Sequence, residues 1–211
     1  MAKNSKQKGT EKRNNLRDVI LPVATKAFFE NGIRTVTMDD IAAKLKMSKR
    51  TLYETYENKM ELLFDVVEGS MKRKHRLMEE YGKKNDNIMD LLIEFFRIQM
   101  EDYARISPVF FSDFKRYPEL MERIHQIHSE MNHTAEFLKR GVEQGYFRKD
   151  VNYDFLAAIG SDFGEILRVN PKYKNYDYAD IFNSFIYTLL RGICTDEGLA
   201  KFNNLTNIIK K

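Results

Sequence analysis

Cysteine, tryptophan, proline and glycine are all scarce in this chain: one Cys, no Trp, four Pro and ten Gly among 211 residues. A single thiol, Cys194, excludes a disulfide within the chain and a cysteine cluster for a metal. So few helix-breaking residues, with 31% of positions charged, suit a mostly helical protein. No apolar run approaches the roughly 20 residues of a membrane-spanning helix, so no membrane partner is expected. The opening MAKNSKQKGTEKRNN carries positive charge with no apolar stretch behind it, unlike a secretory signal, and the expected location is cytoplasmic. Also missing are a Gly-rich phosphate loop, an internal repeat and any recognisable nucleophile–base constellation, so neither an enzyme nor a cofactor is indicated.

What the chain does have is enough apolar material, 43% of residues, for one or two cores, and an uneven distribution of charge. Residues 1–76 hold 17 Lys and Arg against 10 Asp and Glu, whereas residues 77–211 hold 18 against 21. A basic end suits a surface facing phosphates, because neutralising them releases condensed counterions.

Within that basic end lies TMDDIAAKLKMSKRTLYETYENK, residues 37–59. Thr37 is placed to cap a helix of about two turns, with Asp39 and Asp40 at the positive end of its dipole and Ile41, Ala42 and Leu45 on one face. Ser48 caps a second helix that begins Lys49, Arg50, Thr51 and turns Leu52 inward. Asn58, with Glu61 three residues on, has the pattern of a third cap. Two short helices joined by a tight turn can place the second in a DNA major groove, its first residues against base edges. Lys49, Arg50, Thr51, Tyr53 and Tyr56 give that helix cations, hydroxyls and rings. A short helical hairpin with a solvated charged face is the alternative reading of the same residues.

A first helix ending in FFENG, followed by TxxxIAxxLxMSxxTLYxxYxNKxxLL, resembles the N-terminal domain of the TetR family of transcriptional regulators over residues 14–67. Thr51-Leu52-Tyr53, Tyr56 and Lys59 carry the match. Two departures stand out. Lys46 occupies a turn position where the family often has Gly, at a cost of about 1–2 kcal/mol if left-handed, and Pro22 falls inside the first helix.

The resemblance implies an all-α fold: an N-terminal three-helix helix-turn-helix DNA-binding domain at 14–67, then a C-terminal helical ligand-binding and dimerisation domain at 68–211. Residues 1–13 are expected as a disordered basic arm. The first helix should end at Asn31-Gly32, and Lys59 to about Tyr81 should form a continuous helix leaving the DNA domain. Further helices are expected at 88–106, from Pro108 through Phe114, from Pro118 to Gly145, at 153–169 and at 177–194, with a last short one in the tail. The implied activity is repression through a palindromic duplex operator, relieved by a small-molecule effector. DNA contacts are expected from Lys49, Arg50 and Thr51 to base edges, and from Thr37, Ser48, Tyr53, Tyr56 and Lys59 to phosphates.

In the second domain, Phe95, Phe96, Met100, Tyr103, Phe110, Phe111, Phe114 and Tyr117 crowd into 23 residues. With Gln99, His125, His128 and Met131 they are the candidate effector lining, although aromatic and Met stripes at helical spacing also build ordinary cores. Helices 153–169 and 177–194 are the candidate homodimer interface, since a two-fold dimer reads two half-sites. Two other functions stay open: an architectural DNA-binding protein without an effector, and a helical metalloprotein or enzyme built on Glu122, His125 and His128. That helix alone presents too few ligands for a metal, and none is assigned.

Overall fold

The computed structural model describes residues 2–114, 116–130, 134–169, 172 and 182–209. Its helices are α1 (Ala2–Asn31), α2 (Met38–Lys44), α3 (Lys49–Thr55), α4 (Lys59–Gly82), α5 (Ile88–Arg105), α6 (Pro108–Phe114), α7 (Pro118–Glu130), α8 (Thr134–Glu143) and α9 (Tyr153–Val169). A π-helical turn at Phe182–Ile186 then leads into α10 (Tyr187–Ile193), and α11 (Asp196–Ile209) follows. Among the described residues there is no β-sheet; a lone bridge joins Phe147 to Cys194. No described helix is long and apolar enough to cross a membrane.

Helix boundaries follow the local chemistry. Gly32, at φ 84°, takes the left-handed position after α1 and donates to the Phe28 carbonyl at 2.8 Å, closing the helix. Pro108 and Pro118 open α6 and α7, where the missing N–H breaks no helical bond. Asn152 caps α9 by accepting the Phe155 N–H at 3.0 Å.

One expectation needs correction. The segment 1–13 is not a separate arm: α1 continues upstream to Ala2 and runs through Pro22. Lys, Gln, Glu and Arg are good helix formers, no proline precedes Pro22, and the ring costs only one hydrogen bond to the preceding turn and a local clash. The expected helix from Pro118 to Gly145 is recorded as α7 and α8, with residues 131–133 outside the described residues. The start of the helix expected at 177 is likewise outside them.

The chain forms two compact units, Met1–His75 with Ala104–Glu130, and Arg76–Tyr103 with Met131–Lys211. In the first, Ile20, Ala24, Phe28, Ile33, Ile41, Leu52, Leu62, Leu63 and Val66 form a core to which α6 and α7 add Phe110 and Leu120. Phe110 meets Phe29 edge-on at 5.0 Å, and the Ser107 N–H donates to the Phe29 carbonyl at 2.8 Å. This packing unit is therefore larger than residues 14–67. The reason is the apolar face of α6, which finds its partners on α1.

The second unit has its own core of Ile88, Met89, Leu92, Phe96, Leu138, Phe147, Tyr153, Leu190, Ile193 and Phe202. Gly141 lets the Phe147 ring lie flat on α8; a Cβ there would come within 2.1 Å of the ring.

Candidate nucleic-acid interface

The geometry begins with the turn between α2 and α3. Thr37 accepts the Asp40 N–H through its hydroxyl at 3.2 Å, and Asp40 accepts the Thr37 N–H at 2.9 Å, a reciprocal capping box at the start of α2. The Thr37 hydroxyl also donates to the Asp40 carboxylate at 2.6 Å, and that bond, with the one from the Thr37 N–H, holds the Asp40 carboxyl below its ordinary value of 3.8. Lys46 sits at φ 53°, the strained left-handed position anticipated for this turn. Ser48 then accepts the Thr51 N–H at 3.1 Å, and its hydroxyl meets that of Thr51 at 2.8 Å. Leu52 is fully buried, which fixes the rotation of α3 and leaves Lys49, Arg50 and Tyr53 at the surface.

At the third cap, Asn58 accepts the Glu61 N–H at 3.0 Å, and the Glu61 carboxylate reaches back to the Glu57 N–H at 2.7 Å. Arg17 on α1 holds the same carboxylate at 3.2 Å, so α1 and α4 are joined at this point.

Thr37, Ser48, Lys49, Arg50 and Tyr53 are exposed, with Thr51 and Lys59 half-buried. Lys59 points its ammonium over the Phe28 ring at 5.9 Å and toward the Arg34 carbonyl at 3.5 Å. Partial burial pulls its pKa down, against the opposing pull of Asp113 and Asp40. Beside it, Ile33, Asn58, Lys59, Met60, Leu63 and Tyr117 line a cavity of about 350 Å³.

Tyr56 is the exception among the residues expected to touch phosphate. It is completely buried, and its hydroxyl donates to Asp65 at 3.0 Å. The Arg17 guanidinium lies over its ring at 5.1 Å, while burial and the neighbouring carboxylate hold the phenol well above its ordinary range. A ring in the core cannot reach a phosphate, so Tyr56 braces α3 against α4 instead.

Three residues of this unit make side-chain contacts that sequence reasoning did not assign. Asp39 holds Lys49 by a short hydrogen-bonded ion pair of 2.5 Å, and Glu54 holds Arg50 at 2.8 Å. Each carboxylate, by that hydrogen bond, raises the pKa of its cation. The Arg50–Glu54 pair was visible in the sequence as i, i+4 spacing; the Asp39–Lys49 pair, which crosses from α2 to α3, was not. The third is Asp113 on α6, buried, which accepts the Arg34 N–H at 2.8 Å just before the Thr37 cap.

The expected effector lining is divided between the units. Phe110, Phe111, Phe114 and Tyr117 pack in or against the core of the first, whereas Phe96 and Met100 pack in the second. Phe95 meets Phe96 edge-on at 5.4 Å and is 40% exposed. The side chains of Tyr103, His125 and His128 lie outside the described residues, as does Met131.

Residues 20–66 match the family of bacterial regulatory proteins named tetR. That match places a tetR-type regulatory domain over the helix-turn-helix region of this chain. A curated relative, the HTH-type transcriptional repressor KstR2 of Mycobacterium tuberculosis, is 22% identical over 157 residues, spanning 71% of this chain and 78% of its own. A solved transcriptional regulator from Cytophaga hutchinsonii superposes with a TM-score of 0.62 at 21% identity, covering 84% of this chain and 98% of that one. A gamma-butyrolactone receptor described as ArpA-like superposes at 0.60 with 17% identity, covering 94% and 97%. These likenesses establish the TetR fold: an N-terminal helix-turn-helix domain and a helical domain following it.

Proposed function

We propose that this protein is a homodimeric transcriptional repressor of the TetR family that binds a palindromic duplex operator through α3 and is released from it by a small-molecule effector. The observation that carries the reading is the capped pair α2–α3, which presents Lys49, Arg50, Thr51 and Tyr53 around a fully buried Leu52. Lys49, Arg50 and Thr51 are assigned to base edges, and Thr37, Ser48, Tyr53 and Lys59 to phosphates. The curated relative is named a repressor, and similar solved chains are named for a ketosteroid regulator and a butyrolactone receptor, which supports a small organic effector here.

The assigned dimer surface lies on α9 and the segment 177–194. Phe155, Ile159 and Ile166 stand on α9 with exposures of 66, 44 and 44%, an apolar stripe of the kind a partner helix covers. Leu190, by contrast, is buried in the core of its own unit and serves packing within the chain. In the second unit, Phe95, Phe96, Gln99 and Met100 remain the proposed effector lining. For release, the effector must bind the DNA-free form more tightly than the DNA-bound one, and the shift is assigned to α4, which begins at Lys59.

Selection from a library of random duplex DNA at moderate salt, followed by sequencing, tests the reading. A palindromic consensus is the expected result; no enrichment, even at salt low enough for binding, would overturn it. On the selected duplex, Lys59→Ala should weaken binding to all sequences alike and flatten the salt dependence by about one unit of slope, whereas Arg50→Ala should lose discrimination at one or two positions.

A further inference from the structure

Both cations at the start of α3 are already engaged within the protein. Lys49 is held by Asp39 across the α2–α3 turn at 2.5 Å, and Arg50 by Glu54 one turn along α3 at 2.8 Å. All four side chains are more than half exposed, so the pairs stand at the surface rather than in the core. Surface pairs of this kind contribute little to stability. Their consequence lies in binding.

We infer that Asp39 and Glu54 are specificity-determining residues: paired with Lys49 and Arg50, they withhold both cations from indiscriminate phosphate contact. The inference rests on the DNA-binding reading above.

A free lysine or arginine meeting a phosphate displaces condensed counterions, and that release drives sequence-independent binding. A cation already neutralised by a carboxylate displaces fewer. To reach a phosphate it must also leave behind an unpaired carboxylate close to a polyanion. At a matching base the balance differs. Arg50 can form two hydrogen bonds with guanine, and Glu54 can then accept from the amino group of a cytosine, so the pair separates without stranding its acid. The net effect is to lower affinity for random sequence more than affinity for the operator.

The test uses the full chain and two single variants, Asp39→Asn and Glu54→Gln, each close in shape to the parent. Binding is measured by fluorescence anisotropy on a random-sequence duplex and on the duplex recovered from selection, across a range of salt. Each variant should bind random duplex more tightly, with a salt slope steeper by about 0.9 for the freed cation. Operator affinity should rise less, so the ratio of operator to random binding narrows. Unchanged binding to random duplex in both variants would overturn the inference. An equal gain on both duplexes would overturn it too, because the acids would then set affinity without setting specificity. In a Lys49→Met background, Asp39→Asn should lose its effect; an undiminished gain there would mean simple repulsion of DNA by Asp39 and would exclude the pairing. A parent that binds neither duplex at low salt would instead refute the DNA-binding reading itself, and the inference with it. Melting temperatures of both variants, expected near the parent's, separate these outcomes from misfolding.

Discussion

The hydroxyl of Tyr56 donates to the Asp65 carboxylate at 3.0 Å while its ring is fully buried between α3 and α4. A residue whose sequence position marks it for DNA contact is therefore a structural brace. Tyr56→Phe keeps the ring and removes one hydrogen bond to a carboxylate that Arg17 still faces at 3.5 Å. The expected loss is about 1–2 kcal/mol of stability, read by urea unfolding. Operator affinity, measured well below the melting temperature, should change less than about twofold, since a buried hydroxyl makes no phosphate bond to lose. A tenfold loss of affinity with unaltered stability would put the hydroxyl on DNA and refute the brace.

Two left-handed glycines provide a matched comparison. Gly32 and Gly145 have φ of 84° and 81°, so alanine strains the backbone equally at each, by about 1–2 kcal/mol. They differ in what a Cβ meets. At Gly145 nothing lies within 4 Å, whereas at Gly32 the new atom would stand 2.6 Å from Val109 Cγ1 and 2.9 Å from Asp113 Oδ2. Gly32→Ala should therefore destabilise by about 1–3 kcal/mol more than Gly145→Ala, because α6 must move to admit it. Equal melting temperatures for the two variants would show that α6 is not held tightly against the end of α1.

The Thr37–Asp40 cap makes a prediction in acid. Hydrogen bonds from Thr37 lower the Asp40 pKa below its ordinary value of 3.8, so the folded state holds the proton less tightly than the unfolded chain does. The stabilisation is present above that value and lost as pH falls through the lower, folded one. Asp40→Asn should consequently show a shallower decline of melting temperature between about pH 5 and pH 3 than the parent. Parallel declines would mean that the capping box does not persist in solution.

Cys194 is buried beside the Phe147 bridge, and burial pushes its thiol up to about 11 from an ordinary 9.0. At pH 8 the native thiolate fraction is about a hundredfold below that of an unfolded thiol, before steric protection is counted. Labelling by a disulfide reagent should be slow in buffer and rapid in denaturant. Because the folded pKa is the higher one, the associated stability is complete below pH 9.0 and lost as pH rises toward about 11. Fast labelling of the native protein at pH 8 would contradict the burial.

How much of this was legible beforehand depended on the range of the interaction. The caps at Thr37, Ser48 and Asn58 were readable because each joins groups three residues apart, as the bonds Asp40 to Thr37, Thr51 to Ser48 and Glu61 to Asn58 all do. Gly32 and Lys46 were readable for the same reason, since a helix end and a tight turn impose a left-handed residue locally. The crowding of Phe95 to Tyr117 was misleading because closeness in sequence does not decide which core a ring enters. Phe96 and Phe110 are fourteen positions apart and belong to different cores.

By itself the sequence determined the helical character of the described residues, the capped α2–α3 pair and several helix ends, all consequences of propensity, capping and short-range spacing. The tertiary structure alone decided that Tyr56 is inside, that α6 packs with α1 through Phe110 and binds the Arg34 amide through Asp113, and that Asp39 reaches Lys49. Those outcomes turn on which apolar faces exclude water together and which side chains that packing then leaves within reach of one another, and no local pattern encodes them.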